Sequence, residues 1–161
     1  MNKLITIFLF LPMFTFGQVI NLNDGLWNVV DNNTKVTLGL TFVSGMADGL
    51  ADVLRTHPGK FMQRHPNANE QYWLPSKSWK NKYKDYDNGD LRSAYPFAKS
   101  ALVSTTDGWH MAKGIRNKTA VFAIVLKVGE KQSFKDIIVD VIIHSAAFSG
   151  GHYLVYDIIY K

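Results

Sequence analysis

Three long apolar segments, each carrying ionisable side chains at helical spacing, constrain this chain more than anything else in it. Residues 36–54 hold Asp48 and Asp52, residues 97–128 hold Asp107 and His110, and residues 134–160 hold Asp136, Asp140, His144 and His152. An acid or imidazole on an apolar helix costs free energy unless it is paired, hydrated or bound, and more so inside a bilayer. The pattern predicts an all-α fold of three to four helices, a small membrane-embedded bundle with its acids turned inward.

The first helix is expected from about residue 35 to 57. Asn33 or Thr34 serves as its cap, and Pro58 ends it. Gly45 and Gly49 stand four apart on it, the spacing that lets two helices approach closely. Residues 97–127 read as one long helix or as two joined near residues 114–117. Gly129 breaks the pattern. Residues 134–160 run without proline for a length that crosses a bilayer, and Ser145, Ala146, Ala147, Ser149, Gly150 and Gly151 make their centre small. The β-branched run 137–143 suits a strand as well as a helix, and the length of the segment favours helix.

Residues 58–96 are different material. They mix seven aromatics, among them Trp73 and Trp79, with basic residues that include Lys80, Lys82 and Lys84. The four prolines and the Asp87-Asn88-Gly89 turn predict a long loop with short helical turns, and the aromatic density predicts that it is ordered. Trp73 and Trp79 are expected to pack, with the three lysines outward, as a lipid-facing interface. The acidic stretch 85–90 resembles a calcium loop only superficially: its glycine comes one place early and no acid closes it.

The start of the chain reads as an export signal. Lys3 is followed by an apolar run over residues 4–14 and a cleavage region at Thr15, Phe16 and Gly17. The expected organisation is a signal peptide over 1–17 and one helical domain over 18–161. There is no cysteine, which excludes disulfides, thiol chemistry and cysteine-based metal centres. The net charge of +5 suits anionic lipid head groups, and the export signal argues against nucleic acid as a partner. Residence in the cell envelope, in the membrane or the periplasm, follows as the expectation.

Carboxylate and imidazole groups converging from several helices are how bundles build metal sites, proton relays and general bases. The candidates for catalysis are Asp48, Asp107, His110 and His144, and for a divalent metal Asp48, Asp107 and His110. The first three are expected in one buried cluster. Against this, Asp107 and His110 fit a hydrogen-bonded pair that pins helices, and Asp136 and Asp140 fit solvated positions. His57 suits a helix C-terminus. No phosphate-cradling loop, dinucleotide fingerprint or nucleophile elbow is present.

Trp79-Lys80-Asn81-Lys82-Tyr83-Lys84, followed by Thr105-Thr106-Asp107-Gly108-Trp109-His110, resembles a group of small uncharacterised bacterial and phage-encoded exported or membrane proteins. The likeness runs from about residue 36 to 110 and includes Gly45-Met46-Ala47-Asp48-Gly49. It implies a helical membrane protein and no mechanism. The leading expectation is therefore a membrane or envelope protein that binds lipid, a protein partner or a second copy of itself. The competing one is a metal-dependent intramembrane hydrolase of a lipid-linked substrate.

Overall fold

The computed structural model describes residues 31–100 and 102–161. The expected export signal and the lead-in before residue 31 lie outside them. The described chain is helical, with no strand beyond one isolated antiparallel bridge between Tyr83 and Ala94.

Helix α1 spans Asn32–Thr56. Its cap is Asp31, not Asn33 or Thr34. The Asp31 backbone is extended, and its carboxylate accepts from the Thr34 amide at 2.8 Å and the Thr34 hydroxyl at 2.5 Å. A carboxylate is the strongest acceptor on offer to the orphaned amides of the first turn. These bonds hold the Asp31 carboxyl below the usual carboxylate range. At the other end His57 caps the helix through its amide, which donates to Val53 O at 2.8 Å.

Residues 58–96 form the loop with short turns that their composition predicts. Helix α2 (Pro58–Arg64), α3 (Glu70–Trp73) and α4 (Pro75–Ser78) lead into 3-10 turns at Trp79–Lys82 and Tyr86–Asn88. Proline stands at the start of α2 and α4, where an amide has no acceptor to lose. Gly89 closes the acidic turn in the left-handed region (φ 73°). Helix α5 covers Val103–Thr106.

Helix α6 (Gly108–Lys127) begins after Asp107, so the break in the second apolar segment falls there. Residues 114–117 are continuous helix. Helix α7 (Phe134–Tyr153) opens on a reciprocal capping box between Ser133 and Asp136 and continues as a π-helical stretch, Leu154–Ile159. The β-branched run is therefore helical. Among the described residues there are three long helices and four short ones, against the three or four expected.

Helix α1 is the centre. It runs antiparallel to α6, with Asn33 beside Leu126 and Ser44 beside Arg116. It runs parallel to α7, with Thr37 beside His144 and Asp52 beside His152. Both helices pack extensively on α1 and scarcely on each other. The α1–α7 contact is backbone against backbone. A Cβ on Gly45 would lie 2.0 Å from Phe148 O, one on Gly49 2.8 Å from His152 O, and one on Gly151 2.2 Å from Phe42 O. The glycine spacing visible in the sequence is this seam.

The apolar core lies at the loop end, where Val53, Leu54, Phe61, Trp73, Val155 and Tyr160 pack together. Trp73 lies against Gly108, whose Cβ would meet its ring at 2.3 Å. Beyond this cap the flanking helices present apolar side chains outward. Val121, Phe122, Ile124 and Val125 on α6 are exposed, as are Ile137, Ile138, Val139, Val141 and Ile142 on α7. Asn32–Thr56 and Phe134–Ile159 are both long and apolar enough to cross a membrane. Only 6% of an apolar 18-residue window of the second is buried, against 39% of one in the first.

Candidate functional site

The ionisable groups on the apolar segments gather in three places. At the cap end, Asp107 is 2% exposed and serves as the N-cap of α6, accepting from the His110 amide at 2.7 Å. Its second oxygen accepts from His110 Nδ1 at 2.6 Å and from the Thr106 hydroxyl at 3.3 Å, with Lys82 Nζ 4.0 Å away. A carboxylate on Nδ1 fixes the tautomer with the proton there. That leaves His110 Nε2 as the free, basic nitrogen of a ring about a quarter exposed.

The dyad opens on a shallow recess of about 220 Å³ lined by Arg55, Lys82, His110, Asp107, Trp79 and Trp109, with Pro75 and Ser78 at its edge. The indole N–H of Trp109 is buried and finds no acceptor in the described chain. Lys82 is therefore turned inward, correcting the expectation that all three lysines point out. The nearly buried Asp107 carboxylate draws it in, and its side chain is only 17% exposed. Lys84 does lie on the surface, over the ring of Tyr95, and Lys80 is half-buried over the ring of Tyr86. Trp73 is buried as expected. Trp79 is 39% exposed and belongs to a local cluster with Tyr83 and Tyr86.

The second gathering is midway along α1. Arg116 Nη1 donates to Asp48 Oδ1 at 2.7 Å, and His152 Nε2 lies 3.4 Å from Asp52 Oδ2. Asp48, Asp52 and His152 bring one ligand atom each to within 4.8 Å of one another. The expected single cluster of Asp48, Asp107 and His110 does not form. Asp48 is bonded to Arg116, which sits two turns along α6 from His110, and it makes no bond to either residue. The sequence could not show this, because helix direction and rotation decide which acid meets which base.

The third gathering is near the α6–α7 turn. Lys127 Nζ donates to the Thr34 hydroxyl at 2.7 Å and to Glu130 at 2.9 Å, and lies 3.2 Å from Asp140. Gln132 donates to Asp140 at 2.6 Å, and Asn33 donates to Leu126 O and to Glu130. Asp140 is thus an interior partner rather than a solvated one, whereas Asp136 is the exposed capping acid. His144 donates Nδ1–H to Asp140 O at 2.8 Å, which leaves Nε2 to meet the Thr37 hydroxyl at 3.0 Å. Both of its nitrogens are occupied, so His144 ties α7 to α1 and has no nitrogen left for chemistry.

At the base of the cap, His65 Nε2 meets the Tyr160 hydroxyl at 2.7 Å beside Phe61. Burial, helped by the adjacent Arg64, lowers the His65 pKa below its usual value, and burial pushes the Tyr160 phenol up to about 12. The Tyr72 phenol is raised as well, by burial first and by the Asp107 charge second.

The chain matches no protein-family model, no curated protein and no solved structure.

Proposed function

We propose that this is a membrane-embedded helical protein of the cell envelope that holds an anionic lipid head group in the recess of Arg55, Lys82 and His110. The observation that carries the reading is the outer surface of α7. Between Asp136 and Asp157 no charged side chain is exposed on it, over about 30 Å at 1.5 Å per residue, the thickness of a bilayer's hydrocarbon. Ile137, Ile138, Val139, Val141 and Ile142 point through about 200° of the helix circumference, at about 100° per residue. A single protein partner covers one face of a helix. Lipid covers all of it.

The polar groups fit the same solvent. Asp140, His144, Asp48 and Arg116 face the bundle, where each has a partner. The cap then stands at one end of the bundle, with Trp79 and Trp109 beside the basic recess, an arrangement suited to head-group depth. Arg55 and Lys82 supply the cations that would pair with a phosphate.

The test is mass spectrometry of the intact protein released from detergent with phosphatidylglycerol or phosphatidylcholine. Retention of phosphatidylglycerol over phosphatidylcholine is expected, and the double variant R55Q/K82Q loses that preference. Equal retention of both lipids by the native protein contradicts head-group recognition.

A further inference from the structure

We propose that Asp48, Asp52 and His152 form a binding site for a divalent transition-metal ion at the α1–α7 seam, independent of the head-group recess. The donor set is two carboxylates and one imidazole, a mixture that suits Zn²⁺ and its borderline neighbours better than Mg²⁺ or Ca²⁺. The three ligand atoms lie within 4.8 Å of one another, and all three side chains are partly buried. A zinc ion sits about 2.1 Å from each ligand, so its ligands stand about 3.4 Å apart in a tetrahedron. Closing from the observed spacing takes side-chain rotations of about an ångström with the backbone fixed.

The fold holds these residues together at a cost that an ion would remove. Asp48 and Asp52 are one turn apart on the same face of α1, where like charges repel. Arg116 balances Asp48 through Oδ1, leaving Oδ2 free. Asp52 has only the long 3.4 Å contact to His152. An arginine on a ligating carboxylate is the outer partner such ligands commonly have. His152 reaches this face because Gly49 admits its backbone: a Cβ there would meet His152 O at 2.8 Å and His152 Cα at 3.3 Å. Tyr156 stacks on the imidazole, ring centres 5.4 Å apart, and fixes its plane. One protein-free position on the tetrahedral ion would remain for water or a substrate oxygen, the open coordination that distinguishes reactive from structural sites.

The experiment is titration of the full chain in detergent, purified without a polyhistidine tag, with Zn²⁺ by calorimetry and with Co²⁺ by visible absorption. Saturable one-to-one binding is expected, together with Co²⁺ d–d bands of a low-coordinate oxygen and nitrogen site. D52N and H152Q each weaken binding at least ten-fold, and H65Q, remote from the seam, leaves it unchanged. Circular dichroism confirms that each variant is folded. The Co²⁺ spectrum of the native protein needs no variant, so a D52N or H152Q chain that fails to fold leaves the proposal still testable. Absence of one-to-one binding in the native chain overturns the site. So does unchanged affinity in folded D52N and H152Q.

Discussion

Replacing Gly45 by alanine tests the α1–α7 seam most sharply. The added Cβ would stand 2.0 Å from Phe148 O, 2.8 Å from Phe148 C and 3.0 Å from His152 N, all backbone atoms that no rotamer change can move. A carbon needs about 3.3 Å from a carbonyl oxygen, so the helices must part by roughly 1.3 Å. A gap of that size forfeits at least a quarter to a half of each dispersion contact along the seam. Overpacking of this kind costs about 1–3 kcal/mol, and alanine returns about 0.5–1 kcal/mol in helix propensity. The net expectation for G45A is a loss of about 1–2 kcal/mol, or roughly 2–8 °C in Tm for a chain of this size. Gly39, on the same helix with nothing within 4 Å of its Cβ position, is the control. G39A should raise Tm slightly. The assay is thermal unfolding in detergent followed by circular dichroism. Equal Tm shifts for G45A and G39A would refute the close approach.

Two further outcomes follow from the cap. Asp107→Ala removes the N-cap of α6 together with the carboxylate facing His110 and Lys82, and should cost about 1–2 kcal/mol by the cap alone. Because that carboxylate also draws Lys82 into the recess, D107A should weaken phosphatidylglycerol retention, whereas a cap-only role would lower Tm and leave retention intact. The second outcome concerns pH. The folded pKa of His65 is depressed below the unfolded value of about 6.5, so its contribution to stability is complete above that pH and is lost as pH falls below it toward the folded pKa. Melting followed by tryptophan fluorescence between pH 7.5 and 5 should show Tm falling with acidity, less steeply in H65Q. Identical pH profiles would show that His65 carries none of the dependence.

Most of the helical content was legible because apolar length and breakers act locally. Pro58, Gly129 and the glycine spacing at 45 and 49 marked elements or contacts that the structure contains. The cap at Asp31 was missed because the strongest acceptor lay one turn before the apolar run, among residues that read as lead-in. The break at Asp107 carried a visible signal too: an acid three residues before His110 is an N-cap as readily as a buried partner, and here it is both. The hydrogen bond between Asp107 and His110, one of the alternatives their spacing offered, is present, but at the start of one helix rather than pinning two together. Grouping Asp48 with them failed, because spacing gives the face of a helix and not which neighbour that face meets. Asp52 and His152 come together from positions 100 residues apart, across a glycine contact that appears only once α7 is parallel to α1.

The depth of the α7 surface in a bilayer tests the central claim most directly, and the absence of cysteine makes it clean. Single substitutions V141C, on the outer face of α7, and K84C, on the cap, each take a nitroxide label in otherwise native protein reconstituted into phospholipid vesicles. Collision with dissolved oxygen, which concentrates in hydrocarbon, is compared with collision with a water-soluble nickel chelate. The account predicts that the label at 141 meets oxygen freely and the nickel chelate scarcely, with the reverse at 84. Equal access of the nickel chelate to both positions would contradict it.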